Sequence, residues 1–238
     1  MFPEKRIDIG THYMKEEKKN NLYFNVPEPA LRRLPWYLAF VKVLLAQNEP
    51  TVSSTVISRS VGVDAALVAK DLSYVNISGR TRVGYSVPEL VDVLETFLGF
   101  SETHDAYIFG VGSLGSALLQ DRGLSQYGLN VVGGFDVNPL ITGQEIHNIP
   151  VYHLDQLPDV ARDDVAVAVL TVPVDKAQKV TDFIVENSNI SGIWNFTPFR
   201  LTVPERVAVQ NTSLYSHLAV LFSRLRARKE ATFDLEEG

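Results

Sequence analysis

Cysteine is absent from the chain. That excludes disulfides, thiolate catalysis, a thiol redox switch and cysteine-ligated zinc. No apolar run approaches the ~20 residues that cross a bilayer. Met1–Asn20 is charged and carries no apolar core of a secretory signal, so a cytoplasmic protein is expected. Neither GxSxG nor HExxH occurs. The histidines are His12, His104, His147, His153 and His217. His147 and His153 stand six apart on what reads as a loop, a poor metal pair without a third ligand. None of the five is expected at a strand end beside a pocket, and all are read as structural or surface residues.

What is present suits a globular protein. A hydrophobic share of 45% supports a core of normal size. At 238 residues, two domains are expected. The net charge of −6 argues against an indiscriminate polyanion binder, but the charge is uneven. Residues 30–87 carry Arg32, Arg33, Lys42, Arg59, Lys70, Arg80 and Arg82 against Glu49, Asp64 and Asp71. Residues 100–238 carry ten basic residues against seventeen acidic ones. A basic front and an acidic back fit a nucleic-acid module joined to a metabolite module. Chance clustering of surface charge is the bland alternative.

Residues 1–25 mix Lys and Glu with little periodicity and are expected to be a mobile tail. From Val26 the pattern turns helical, punctuated by Pro29 and Pro35, and Trp36–Leu45 carries apolar residues at helical spacing. Ser53 and Ser54 are N-cap candidates for a short helix, Thr55–Ser60. Val61-Gly62-Val63 reads as a turn, and Asp64 as the cap of a third helix, Ala65–Val75. Helix, short helix, turn and capped helix is the helix-turn-helix layout, in which the last helix enters the major groove. Its face offers Ala65, Ala66, Ala69, Lys70 and Ser73, with Lys70 the first choice for a DNA contact and small alanines allowing close approach. An ordinary three-helix packing unit with a solvated lysine is the competing reading. Val75–Ile77 and Val83–Tyr85 flank Gly79-Arg80-Thr81-Arg82, which predicts a hairpin with two arginines at its tip. Such a basic wing tracks phosphates or enters a narrow minor groove. A further helix, Glu89–Leu98, follows Pro88.

The most specific signal lies further on. Tyr107-Ile-Phe-Gly110-Val111-Gly112-Ser113-Leu114-Gly115 reads as strand, glycine turn and helix, and Asp136 ends the next apolar run, Asn130–Phe135. This is the plan of a dinucleotide-binding half-site. Gly110 makes the turn, Gly112 admits the pyrophosphate, and Gly115 lets the helix lie close to the strand. The helix N-terminus presents free N–H groups to phosphate. Asp136 follows Gly112 by 24 residues, near the usual ~20 for a carboxylate on the adenosine ribose. A free 2′-hydroxyl donates to that acid, whereas a 2′-phosphate is repelled, so NAD(H) is expected rather than NADP(H). A glycine-rich loop without ligand is the bland reading, and the motif alone is weak.

Ala166–Thr171 is a buried parallel strand by composition, followed by a helix from Pro173 to about Glu186. Ile193–Phe196 and Ala208-Val209 are further strands, and Ser213–Arg228 a long helix with Leu214, Leu218, Leu221, Phe222 and Leu225 on one stripe. Alternating strands and helices imply a doubly wound parallel sheet of the Rossmann kind. Its ligand lies at the carboxyl ends of the strands. There stand Gly110–Gly115, Asp136, Thr171, Val172 and Pro173, and Asn195, Phe196, Thr197 and Pro198. The expected division is a tail over 1–25, a winged helix over 26–99, a Rossmann domain over 100–210, a helix over 211–228 and a tail over 229–238.

These features together resemble the bacterial redox-sensing repressors of the Rex family. The matches are Lys70-Asp71-Leu72-Ser73-Tyr74, Gly79 with Val83-Gly84-Tyr85, Gly110-Val-Gly112-Ser-Leu-Gly115-Ser-Ala-Leu118, Phe135-Asp136-Val-Asn-Pro139, Leu170-Thr-Val-Pro173 and Asn195-Phe196-Thr-Pro198. They run in order over about residues 26–225. The resemblance implies a homodimer that binds a palindromic operator when NADH is scarce and releases it when NADH enters the Rossmann domains and rotates the subunits. It implies a C-terminal helix exchanged between subunits. The candidate DNA-contacting set becomes Ser54, Ala65, Ala66, Ala69, Lys70, Ser73, Tyr74, Arg80 and Arg82.

The chain departs from the family pattern in places. Ala69 stands where many members have arginine, Ser113 where many have a basic residue, and Asp121 and Ser213 where some pair a tyrosine with a partner's aspartate. DNA contact is therefore expected to shift toward the wing, and coupling to nucleotide to differ. The competing class is an enzyme, either a small NAD-dependent oxidoreductase or a CoA-binding domain protein with an N-terminal accessory module. Hydride transfer needs a proton donor or acceptor near the nicotinamide, and no arrangement of that kind is recognisable. A degenerate repressor that binds DNA but ignores nucleotide also stays open.

Overall fold

The computed structural model describes residues 26–236, with side chains through Arg228. The expected tail over residues 1–25 lies outside the described residues. The described residues divide into two compact units, the first ending at Glu102 and the second beginning at Thr103. The first unit takes in Phe100–Glu102, beyond the expected boundary, because Phe100 still packs on its core.

In the first unit, α1 is Glu28–Leu31, α2 is Leu34–Ala46, α3 is Ser54–Val61, α4 is Ala65–Ser73 and α5 is Val87–Phe97. Ser53, not Ser54, caps α3, its Oγ accepting from Val56 N at 3.2 Å. Gly62 ends α3 with φ +71°, a left-handed residue that glycine adopts without a Cβ penalty. Asp64 caps α4, accepting from Ala66 N and Leu67 N. The core joins Leu34, Tyr37, Leu38 and Val41 of α2 to Val68 and Leu72 of α4 and Leu90 and Leu94 of α5.

A buried ionic cluster fixes α4 on α2. Asp71 is 1% exposed. Its carboxylate accepts from Arg33 Nε at 2.6 Å, Arg33 Nη2 at 2.8 Å and Tyr37 Oη at 2.7 Å. Burial, reinforced by the carboxylate, pushes the Tyr37 phenol up to about 12. The bidentate guanidinium and the hydroxyl answer much of the acid's hydrogen-bonding capacity, which is what makes burying it tolerable.

The wing differs from its expected form. Strand β2, Tyr85–Ser86, pairs antiparallel with β1, Thr51–Val52, and not with Val75–Ile77. Val75 and Ile77 turn into the core, while Asn76 takes φ +59°, which a ladder does not accommodate. A two-residue strand distant in sequence leaves no periodicity to read. The tip survives as a tight turn in which Arg80 N donates to Gly84 O and Gly84 N to Arg80 O, both at 2.8 Å. Gly84 has φ +90°, and a Cβ there would lie 2.3 Å from Val52 O.

The second unit is a seven-stranded sheet ordered β5-β6-β4-β3-β7-β8-β9. Its strands are β3 His104–Phe109, β4 Leu129–Asp136, β5 Gln144–Ile146, β6 Ile149–His153, β7 Val167–Leu170, β8 Gly192–Asn195 and β9 Ala208–Asn211. All neighbours are parallel except β5 and β6, a hairpin turning at His147-Asn148, both with positive φ. Without the edge strand β5 the order is that of the Rossmann fold, with β3 and β7 flanking the switch point. Residues of β3 alternate between faces. Tyr107 and Phe109 join Leu157, Ala177, Val180 and Ile184 on one side. Ala106 and Ile108 join Val111, Leu119 and Val151 on the other. The helices of this unit are α6 Ser113–Gln120, α7 Gly123–Gln126, α8 Leu157–Val160, α9 Ala177–Asn187 and α10 Leu214–Glu236. Helix α10 thus runs on past the expected Arg228, and Leu214, Leu218, Leu221, Phe222 and Leu225 are all exposed on it.

Asp71→Ala is expected to leave the Arg33 guanidinium without its buried partner and to destabilise the first unit by about 3–5 kcal/mol. Urea unfolding followed by circular dichroism measures this. A loss below about 1 kcal/mol would show that the cluster does not hold α4 in place.

Candidate nucleotide cleft and basic surface

The glycine turn is built by backbone proximity. Gly110 has φ +92°, and a Cβ there would meet Val172 N and Cγ1 at 2.9 Å. A Cβ at Gly115 would lie 2.0 Å from Gly110 O, so α6 can cross the end of β3 this closely only without a side chain. Gly112 is the N-cap of α6, and no side chain caps that helix. Its first N–H groups and the positive end of its dipole are therefore available to an anion.

Two neighbouring strands brace this turn. From β7's end, Thr171 Oγ1 donates to Gly110 O at 2.6 Å, with Phe109 O within reach at 3.1 Å. From β4's end, Asp136 Oδ2 accepts from Val111 N at 2.6 Å. Asp136 Oδ1 accepts from Val137 N and Asn138 N, both at 2.8 Å. The carboxylate thus organises two loops while staying half-exposed at the rim of a cleft.

That cleft, about 340 Å³, opens at the carboxyl ends of β3, β4 and β7. Phe109, Phe135, Val172, Val180 and Phe183 wall it, and Gly110, Asp136, Pro173, Lys176 and Lys179 reach it as well. An apolar slot with an acid at its mouth suits a flat heterocycle joined to a hydroxylated sugar. The aromatic walls and both lysines escaped sequence reading. Their signal lies in helical spacing after Pro173, since Lys176, Lys179, Val180 and Phe183 fall on one face.

Asn195 and Thr197 sit at the end of β8, both buried. Asn195 Oδ1 accepts from Thr197 N at 2.9 Å and Thr197 Oγ1 at 2.8 Å. Phe196 and Pro198 occupy the same loop, and none of these four residues, nor Thr171, lines the 340 Å³ cleft. One histidine departs from expectation. His153 does end a strand beside the cleft, in register with Asp136. Its ring accepts from Asp155 N at 3.3 Å and caps the 3₁₀ turn Leu154–Gln156, which occupies it structurally.

In the first unit, Ala66, Ala69, Lys70 and Ser73 are exposed at helical spacing along α4. Ala65, Tyr74 and Ser54 are partly buried, so they lie at the margin of that face. Ser73 Oγ donates back to Lys70 O at 2.6 Å. Arg80 and Arg82 are exposed on the wing, Arg82 with φ +64°. Arg59, on α3, adds an exposed cation that the motif reading did not single out. Among the described residues no group of three or more His, Asp or Glu is placed to hold a metal, and no helix is long and apolar enough to cross a membrane.

Two protein families match parts of the chain: "Putative DNA-binding protein N-terminus" over residues 25–73 and "CoA binding domain" over residues 101–199. The redox-sensing transcriptional repressor Rex of Bacteroides thetaiotaomicron is 59% identical over 201 residues, covering 84% of this chain and 91% of its own length. The crystal structure of RSP in complex with β-NAD⁺ and operator DNA superposes with a TM-score of 0.80 at 32% identity, covering 90% of this chain and 98% of that one. RSP in complex with β-NADH gives a TM-score of 0.77 at 32% identity, covering 87% and 98%. Identity of this degree over this much of both chains, with capped helices in the first unit and a glycine turn in the second, places the protein in the Rex family of redox-sensing transcriptional repressors.

Proposed function

We propose that this chain is a cytoplasmic, homodimeric repressor that grips a palindromic operator when NADH is low and lets go when NADH binds. The observation that carries the reading is the braced turn at Gly110–Gly115 with Asp136 at the cleft mouth, in one chain with the exposed Lys70, Arg80 and Arg82. The same fold has been crystallised, as RSP, with NAD⁺ and operator DNA and with NADH. The pyrophosphate lies on the N-terminus of α6 against Gly112, Ser113 and Leu114. Asp136 takes the adenosine ribose, whose hydroxyls find lone pairs left over from its backbone bonds. The nicotinamide half extends beyond the 340 Å³ cleft, past Val172 and Pro173 toward the Asn195–Pro198 loop.

Lys70, flanked by Ala66, Ala69 and Ser73, enters the major groove, and Arg80 and Arg82 follow the phosphates or the minor groove. The coenzyme is bound and not turned over. His153, the histidine at the cleft edge, spends Nδ1 as a turn cap, and the relatives that share this sequence are named transcriptional repressors. Exchange of α10 between two subunits covers its exposed leucines and Phe222.

Three outcomes are expected. Linkage requires that saturating operator weaken NADH binding by the factor with which NADH weakens operator binding, on the order of 5–150-fold. Fluorescence titration of NADH against the dimer with and without an A·T-rich palindromic duplex measures it, and an unchanged affinity removes the switch. The double variant Arg80→Ala, Arg82→Ala should weaken DNA binding and lower the slope of log K against log salt by about 2. If the slope does not move, the wing does not touch phosphate. Asp136→Ala should cost about 1.5–3 kcal/mol of NADH affinity, the worth of a charged hydrogen bond, and narrow the preference over NADPH. Calorimetric titration with both coenzymes decides that, and an indifferent variant takes Asp136 out of the site.

A further inference from the structure

Asn195 is the last residue of β8 and is 0% exposed. Its side chain is saturated from within the protein. Nδ2 donates to Phe199 O at 2.7 Å and to Asn211 Oδ1 at 2.8 Å. Oδ1 accepts from Thr197 N and Thr197 Oγ1. A carboxamide has two N–H groups and two lone pairs, and all four are used. Nothing remains for a nucleotide. Its backbone carbonyl is also taken, by Thr212 N at 2.8 Å.

The neighbouring residue repeats the connection. Trp194 Nε1 donates to Thr212 Oγ1 at 2.9 Å, and its ring lies 4.6 Å from that of Phe196. Thr212 directly precedes Ser213, whose Oγ accepts from Ser216 N at 3.2 Å at the root of α10. Asn195, at the head of the loop to Phe199, is therefore tied at two points to Asn211 and Thr212, and Trp194 beside it adds a third, immediately before the helix that carries the exposed apolar stripe. Breaking a buried hydrogen bond costs the full desolvation of the orphaned group. A displacement of the loop is thus passed to the helix root more readily than it is absorbed by loss of these bonds.

We propose that Asn195 and Trp194 are positioning residues that report the state of the nicotinamide end of the cleft to α10 through Asn211 and Thr212, and that Asn195 does not itself contact nucleotide. This rests on the repressor reading above. The test uses the full-length dimer, NADH and an A·T-rich palindromic duplex. Thr212→Val is nearly isosteric and removes the acceptor for Trp194, and Thr212→Ser restores it. The expected result is that Thr212→Val keeps each separate affinity within about threefold, while the NADH–DNA coupling factor, on the order of 5–150 in the parent, falls toward one. Thr212→Ser regains the parent coupling. Parent coupling in Thr212→Val overturns the proposal. So does a loss of NADH affinity equal to the loss of coupling, which would mark a damaged cleft. No coupling in the parent protein would instead remove the repressor reading, and this inference with it.

A second measurement covers a variant that fails to fold. The chain has two tryptophans, and Trp36→Phe leaves Trp194 alone. Its emission should shift when NADH binds and shift back when the duplex displaces the coenzyme. Emission that ignores both ligands shows a static loop and overturns the proposal.

Discussion

Everything at the cleft depends on one backbone contact. The Gly110 carbonyl lies where a Cβ on Gly115 would be, 2.0 Å away, so the end of β3 and the first turn of α6 touch main chain to main chain. That closeness aims the N-terminus of α6 along the sheet edge. It is kept by two braces from opposite sides. Thr171 holds the Gly110 carbonyl, and Asp136 holds the Val111 N–H at the other side of the same peptide group. The ends of the two strands flanking β3 in the sheet thus grip one peptide group, Gly110–Val111, by its carbonyl and by its N–H. On the proposed reading Asp136 serves both the ribose and the frame of the turn that cradles phosphate. The Val111 N–H is committed to it, which leaves anion binding to the N–H groups further along the turn and helix.

The first unit solves a different problem with a different device. A recognition helix must keep its outer face free of strong internal partners while its inner face is held fast. The Asp71 cluster does the holding. Asp71 and Lys70 are adjacent in sequence and point opposite ways, one buried and one exposed. Arg33 is drawn inward by that acid, so it does not join Arg59, Lys70, Arg80 and Arg82 as surface charge. The basic balance counted from sequence is therefore an overcount of the charge available to a polyanion. What remains is concentrated on α3, α4 and the wing, where screened attraction is felt within ~8 Å at physiological salt.

The sequence carried the glycine turn, the acid and both helix caps because each is a local requirement of geometry. Gly110 and Gly115 are needed where backbones nearly collide, and Asp64 where N–H groups need an acceptor. It also carried the doubly wound parallel sheet, since parallel strands buried on both faces are apolar throughout. The pairing of β2 with β1 was hidden because two-residue strands have no period and their partner lies across α3 and α4. The bonding of Asn195 was hidden for a related reason. A motif tells which residue stands at a strand end, not whether its amide faces ligand or protein. His153 was misplaced because a polar run after Gly143 read as loop, whereas Ile149–His153 pairs with β4.

Oxidised and reduced coenzyme share the adenosine and pyrophosphate and differ only at the nicotinamide ring. On the proposed reading, contacts at Asp136 and the α6 N-terminus strengthen both forms alike. A contact with equal affinity for two states shifts no equilibrium between them. Discrimination must therefore arise at the other end of the cleft, around Thr171–Pro173 and Asn195–Pro198. Thr171 is already committed to Gly110, and Asn195 to Asn211 and Thr197. Little polar side-chain capacity is left there to read the ring directly. On the same reading the ring's charge and shape act instead on the position of the loop that Asn195 heads, and Asn195 is bonded to Asn211 and Thr212 at the root of α10.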